Sequence, residues 1–425
     1  MNFLKGRQGA GAGSVYVAAA FFVSGVLTYL FQGLSARFLG EAGYGDLILL
    51  WTSTFLVAQV LWIGITQTLG RYISERVSRN EDPAPVFSSV KRLQIALLAA
   101  FVVVSLPASP LLSTALFGGN WTLTLAFIIA VAAYAPEYFR RGVFNGHRQA
   151  VRLGALHVAE SASRAVLAAI LLVVGVGVFG PALAIVVAPL IAVLAVRPTR
   201  ETPVEKQGAP FSSGVALRFT APVILCVAFA QVLMNGGPIF LSLLGGSRAE
   251  IGVFGAALIL TRVPQYVLSP VIGALLPHAS RVLATEGPRS FDRFVARTVG
   301  VMVLIGAAMV GGTWLLGEWA TRLFAGFDAS RGILVALALL AAFYLLSETL
   351  NQALFALGHA RLAALGWLAG LPVAAVCMSL PVADLADRVS LALALGAFAA
   401  TLAQAVFYLS VRRRPEHFDP GDESG

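Results

Sequence analysis

Charge is scarce in this chain: Asp, Glu, Lys and Arg make up 12% of its 425 residues, against 58% hydrophobic. So little polar surface cannot coat a soluble core of this length, which excludes an ordinary globular protein and requires lipid as part of the solvent. Cysteine is nearly absent. Cys226 and Cys377 both fall in apolar runs, where they read as packing residues and say nothing of redox compartment. No glycine-rich phosphate loop ending in Lys and Ser or Thr is present, so direct ATP hydrolysis is not expected. No metal, no cofactor and no catalytic group is expected, and the outer connections are too short to hold a folded catalytic domain.

What the chain has is long apolar runs. Twelve lie at roughly residues 14–36, 47–69, 93–116, 121–139, 154–178, 180–196, 214–240, 251–276, 295–316, 331–356, 362–382 and 389–411. Each is near or above the ~20 residues that cross ~30 Å of hydrocarbon. Lys5 and Arg7 before the first run resemble the start of a signal peptide, but the run is too long for one and reads as an uncleaved helix. Of the 30 Lys and Arg residues, Arg37, Arg248, Arg322, Arg331 and Arg388 fall on one side, Arg164 and Arg262 fall inside spans, and all the rest fall on the side of the N-terminus. That asymmetry predicts a multi-pass protein of the cytoplasmic (inner) membrane with both termini in the cytoplasm. The net charge of +9 thus belongs to cytoplasmic loops, and nucleic acid is not an expected partner.

The stretch RPTRETPVEKQGAPFSS, residues 197–213, combines Pro, charge and small polar residues and divides the chain. The expected organisation is a six-helix lobe over 1–196, a cytoplasmic linker over 197–213, a second six-helix lobe over 214–411 and a tail over 412–425, basic where it leaves the membrane and acidic at its end. The lobes echo each other. Leu39-Gly40 followed by Tyr44-Gly45 matches Leu244-Gly245 followed by Phe254-Gly255, and Glu137, Phe144, Gly146-His147 matches Glu348, Phe355, Gly358-His359. Two matches in register argue for a duplicated unit. The expected fold is therefore all-α, with about twelve transmembrane helices in two lobes related by a parallel pseudo-two-fold. Such a pair encloses a cleft that rocking exposes to each face in turn, the architecture of a transporter.

Polar residues inside the spans mark what the cleft could hold. His157, Glu160, Ser161 and Arg164 share one face of the fifth helix, and Tyr344, Ser347, Glu348, Asn351 and Gln352 share one face of the tenth. Gln59, Gln67, Gln231 and Asn235 add polar groups on helices two and seven, and Arg262 stands on helix eight with no acid at helical spacing. Charges cost several kcal/mol in hydrocarbon, so these faces should meet protein or water. Glu160 and Arg164, four apart in the favourable order, are equally readable as a structural ion pair. Glu137 and Glu348 lie toward inner helix ends, where pairing with nearby Arg or capping of packing contacts is the simpler reading. His147 and His359 follow Gly at helix ends as turn residues, and Pro222, Pro238, Pro264 and Pro270 are candidate bending points.

The loop ARFLGEAGYGDL, residues 36–47, resembles the AR-x-LG-x-x-x-YG signature of oligosaccharide repeat-unit flippases in the multidrug/oligosaccharidyl-lipid/polysaccharide exporter superfamily. GVFGPALA, residues 177–184, resembles that family's G-x-x-G-aliphatic turn. TRVPQYVLSPVIGALLPHASR, residues 261–281, is similar to the eighth helix of the related lipid II flippases. The resemblance implies a polyprenyl-pyrophosphate-linked oligosaccharide turned across the membrane for surface polysaccharide synthesis, with membrane lipid around it and glycosyltransferases or a polymerase as partners; a coupling ion stays open. It implies Arg262 as the phosphate ligand and Arg37 as the signature Arg at the outer mouth, where lipid or lobe contacts suit it equally. The full set of candidate binding residues is Arg262, Arg164, Glu160, Glu348, Asn351, Gln352, Gln59, Asn235 and Arg37. The chain lacks the lipid II branch's two extra C-terminal helices and its Asp-rich first outer loop, which favours a surface polysaccharide over a peptidoglycan precursor. The alternatives are a cation-coupled drug or metabolite antiporter of the same fold, using Glu160 or Glu348, and a membrane glycosyltransferase or polymerase.

Overall fold

The computed structural model describes residues 3–198, 211–381 and 384–412. Thirteen α-helices follow one another among them: α1 Phe3–Ser78, α2 Ala84–Phe117, α3 Trp121–Gly146, α4 Ala150–Val173, α5 Phe179–Ala195, α6 Ser213–Asn235, α7 Gly237–Leu243, α8 Arg248–Thr261, α9 Val263–Glu286, α10 Pro288–Ala325, α11 Arg331–Ala356, α12 Ala360–Ser379 and α13 Leu385–Val411. The chain is an all-α multi-pass membrane protein of two lobes. Most of the expected linker, residues 199–210, and the tail from residue 413 lie outside the described residues.

The helix α1 is two passes, not one. Its backbone leaves the helical region at Gly40, with φ 68° and ψ 178°, a conformation that a side chain would make costly. The chain reverses there: Tyr44 donates to Gln32 Oε1 at 3.0 Å and the rings of Phe31 and Trp51 lie 5.5 Å apart. In a straight helix twenty residues would separate those rings by ~30 Å. The second lobe turns at the matching place, where Gly245 has φ 87°. With α1 read as two limbs (residues 3–39 and 41–78), α6 and α7 as one bent pass, α8 and α9 as another, and the seventeen-residue α5 included, the passes number twelve.

Polar caps set several starts. Asn120 accepts from the Thr122 and Leu123 amides at the head of α3, and Ser247 and Glu250 form a reciprocal capping box on α8. Two passes are broken instead of capped. Pro238 and Pro264, each in the first turn after a break, lack the amide that would bond the carbonyl four residues back. The seventh pass bends by 67° at Gly236, and the eighth is interrupted at Arg262. Of the four expected bending points, then, Pro238 and Pro264 sit at breaks, while Pro222 and Pro270 lie in continuous helix.

In the first lobe, α1 packs on α3 and α4, and α5 packs on both of these; in the second, α13 packs on α11 and α12 in the same relation, and α6 packs on α12. The lobes meet through α1 against α6 and α8. An even number of passes puts residues 3 and 412 on one face, here the near face. At the opposite, far face the second limb of α1 and α8 touch backbone to backbone. A Cβ on Gly45 would strike the Arg248 carbonyl, and one on Gly252 would strike the Glu41 carbonyl. Asp46 and Arg248 pair at the rim at 3.1 Å, and Tyr29 on the first limb donates to the Ile259 carbonyl of α8 at 2.9 Å. The far face is closed.

Candidate functional site

Below that closure lies a cavity of about 330 Å³ between the lobes, lined from seven helices. Helical spacing builds each wall: Phe21, Ser24, Gly25 and Thr28 on the first limb, Trp51, Phe55 and Gln59 on the second, His157, Glu160, Ser161 and Arg164 on α4, and Gln231, Met234 and Asn235 on α6. Arg141 of α3, Gln265 and Tyr266 of α9, Tyr344 of α11, and Arg262 itself complete it.

Three guanidinium groups and one carboxylate face this space, and the ion pairs decide what is left over. Arg141 is held by Glu137 through contacts of 2.6 and 2.9 Å, and Arg164 is bonded to Glu160. The second pair is enclosed: Tyr134 donates to Glu160 at 2.8 Å, Arg164 donates to Thr28 at 3.1 Å, and its guanidinium lies 4.8 Å from the centre of the Trp51 ring. Arg262 has no such acid. It is 4% exposed, its Nη1 donates to Asn235 Oδ1 at 2.8 Å, and its Nε and Nη2 have no hydrogen-bond partner. A buried guanidinium with two unfilled donors is costly unless an anion completes it. Its position follows from the breaks in the helices. Arg262 is the interrupted residue of the eighth pass and Asn235 is the last residue before the bend of the seventh, so one hydrogen bond ties the two breaks together.

A second, larger cavity of about 620 Å³ adjoins the first, and Phe21, Gly25 and Tyr266 line both. It runs along the first limb from Phe21 to Arg37, roughly 24 Å at 1.5 Å per residue. Its walls are Val26, Leu30 and Leu34 on one side, Leu260, Val263 and Val267 on the next, and Trp319, Leu323 and Phe324 of α10 on the third. The groove is apolar and opens sideways, with Phe22 and Trp319 each 62% exposed. A polar, cationic chamber thus adjoins a lipid-facing apolar slot across Phe21, Gly25 and Tyr266.

The model of the family described as polysaccharide biosynthesis protein matches residues 10–283. The chain belongs to that family. It is 26% identical over 417 residues, 92% of each chain, to an uncharacterized protein of Mycobacterium tuberculosis, and 28% identical over 342 residues, 76% of this chain and 73% of the other, to a second uncharacterized protein of that organism. Among solved structures it superposes on a multidrug resistance MATE family transporter of the MOP superfamily in its inward-facing conformation (TM-score 0.68, 18% identity, 93% of this chain and 94% of that one). A MOP superfamily transporter from Pyrococcus furiosus gives TM-score 0.69 at 17% identity, covering 95% and 96%. At these identities the likeness is one of fold alone, the two-lobed helical architecture of those proteins.

In this polysaccharide biosynthesis protein, Arg262, Arg164, Glu160, Gln59 and Asn235, five of the residues singled out from the sequence, come together in the central cavity. Four others do not. Arg37 stands at the far end of the groove, donating to the Leu323 and Phe324 carbonyls and so joining the lobes. Glu348, Asn351 and Gln352 share a helix face with Tyr344, but only Tyr344 reaches the cavity. Glu348 accepts from Asn351 at 3.1 Å and Asn351 meets Gln404 of α13 at 2.9 Å, so this group lies within the second lobe. Gln352 borders a narrow gap between α9, α10 and α11. Of the two glutamates of the repeat, expected either to pair with Arg or to cap packing contacts, Glu137 pairs with Arg141 and Glu348 bonds Asn351 instead: four residues on, Arg141 in the first lobe corresponds to Gln352 in the second. Reading the sequence missed Arg141, Trp51, Phe55 and Tyr266 as lining residues. The spacing of Arg141 from Glu137 was a usable signal; the aromatics look like any other apolar residues in a span. Among the described residues no cluster of three His, Cys, Asp or Glu is placed to hold a metal ion.

Proposed function

We propose that the protein is a flippase of the cytoplasmic membrane. It moves a polyprenyl-pyrophosphate-linked oligosaccharide from the cytoplasmic to the outer leaflet, for cell-surface polysaccharide synthesis, by alternating access of the two lobes. The observation that carries this reading is the junction of the two cavities at Phe21, Gly25 and Tyr266, beside Arg262 with its unfilled donors. Such a substrate has an anionic pyrophosphate between a polar glycan and a hydrocarbon tail, and it needs these three environments in this order. The pyrophosphate exchanges hydration for the guanidinium of Arg262, the sugars meet Gln59, Gln231 and the aromatic faces of Trp51 and Phe55, and the tail stays in the lateral groove and the lipid beyond it. The near face is cytoplasmic on this reading, by the excess of Lys and Arg there.

A cation-coupled antiporter would need a lining acid free to exchange its cation, and Glu160 is already held by Arg164 and Tyr134. The test is a lipid extract of cells lacking the protein together with flipping of a fluorescent prenyl-pyrophosphate oligosaccharide in proteoliposomes. Loss of the protein should accumulate one lipid-linked intermediate. Arg262→Ala should slow flipping at least about tenfold, as expected for losing a charge-assisted hydrogen bond, and Arg262→Lys should restore part of it. Full flipping by the Ala variant would sink the phosphate assignment. An unchanged lipid-linked pool with altered tolerance of cationic drugs would support the antiporter.

A further inference from the structure

The first lobe has a third cavity that the transport path does not use. It measures about 590 Å³ and lies between α2, α3 and the segment following α5, with Phe87, Lys91, Gln94, Phe139, Arg140 and Pro198 in its wall. It shares no lining residue with the central chamber. Arg140 and Arg141, one residue apart, stand about 100° apart around α3, so Arg141 faces the chamber while Arg140 faces the flank beside it. We propose that this cavity binds the phosphate headgroup of an anionic membrane lipid in the near-face leaflet.

Depth and charge carry the argument. Lys91 lies about 10 Å along α2 from its near-face start, and Arg140 about 9 Å along α3 from its near-face end, so the two cations stand at one level. No Asp or Glu is among the lining residues. Lys91 is exposed and makes no hydrogen bond or ion pair among the described residues. Arg140 is anchored through Nη1 to the Val193 carbonyl and, at 2.7 Å, to the Val196 carbonyl, an arrangement that fixes its guanidinium at the end of α5 while its other nitrogens bond nothing in the described chain. Gln94 is likewise fixed, donating to the Ala135 carbonyl at 2.5 Å. Two cations with no counter-charge among the described residues, at the level where hydrocarbon gives way to headgroups, are stabilised by a phosphate placed between them. Phe87, Phe139 and Pro136 add an apolar wall that a free anion would not need and the glycerol and upper chains of a lipid would cover.

The experiment uses the full-length chain, purified in neutral detergent, stripped of lipid and titrated with phosphatidylglycerol or phosphatidylcholine under native mass spectrometry. Phosphatidylglycerol should bind in preference to phosphatidylcholine. Lys91→Gln, which removes a group that bonds nothing among the described residues and so should leave thermal unfolding unchanged, should weaken phosphatidylglycerol binding about fivefold, with Lys91→Arg retaining it. Equal retention of the two lipids, or equal phosphatidylglycerol binding by wild type and Lys91→Gln, overturns the proposal. Binding of inorganic phosphate that depends on Lys91, without any preference for phosphatidylglycerol, identifies a free-anion site and overturns the lipid assignment.

Discussion

Arg164 and Arg262 line the same chamber, yet their surroundings give them different work. Arg164 is enclosed by Glu160, Tyr134, Thr28 and Trp51, so its charge is already compensated within the first lobe. Removing one member leaves the other buried and unpaired, and Glu160→Ala is expected to destabilise the protein by about 3–5 kcal/mol. Replacing both, as Glu160→Met with Arg164→Leu, should recover most of that loss, measured by thermal unfolding in detergent. If the double variant is also transport-competent, the pair is structural. Arg262 should behave in the opposite way. Its Nε and Nη2 bond nothing, so its removal should leave unfolding nearly unchanged and should act on flipping. The two arginines are separated by which measurement moves, not by how close each lies to the cavity.

At the scale of the helix, the far-face closure depends on glycine where α8 crosses the second limb of α1. Gly252→Ala puts a methyl group into the Glu41 carbonyl and should force the limbs apart. The expected outcome is loss of transport together with faster labelling of a cysteine placed at Gln59; unchanged labelling would show that the limbs absorb the methyl group. Much of this layer could be read from the sequence, for physical reasons. Apolar length and charge asymmetry are properties of a chain meeting a bilayer and need no knowledge of packing, so the twelve passes, the duplicated lobes and the matched Gly40 and Gly245 turns were legible. The i, i+3, i+4, i+7 rule put His157, Glu160, Ser161 and Arg164 on one face, and the cavity uses that face. The same rule grouped Glu348, Asn351 and Gln352 with Tyr344 but could not say how far along the helix the cavity extends, because that depends on how α6 and α9 pack on α11. Nor could it find the join between Arg262 and Asn235, which are distant in sequence and meet only because both passes break at the same depth.

For the molecule as a whole, the structure shows a closed far face, a chamber and a lateral slot, and alternating access requires that the far face open. Linking it should stop the cycle. With Cys226 and Cys377 replaced by Ala, a short reducible thiol cross-linker between Asp46→Cys and Arg248→Cys, the partners of the 3.1 Å rim pair, is expected to abolish flipping, and cleavage of the linker should restore it. Transport that survives the link would place the exit elsewhere than between α1 and α8.

At the centre of that closed face main chain meets main chain, with a partly exposed ion pair at its edge. Around this contact the seam also carries the Tyr29 hydrogen bond to the Ile259 carbonyl and the buried side chains of Ile48, Tyr44 and Phe327. Each atomic contact contributes only ~0.1–0.2 kcal/mol, and a partly exposed pair of this kind ~0–1 kcal/mol, less as salt rises. The glycine contacts and the rim pair are therefore the light part of the far seal, and the weight that keeps it shut lies in the buried side chains around them. Raising ionic strength weakens the rim pair alone, and so should bias the protein only slightly toward the far-open state before any substrate arrives.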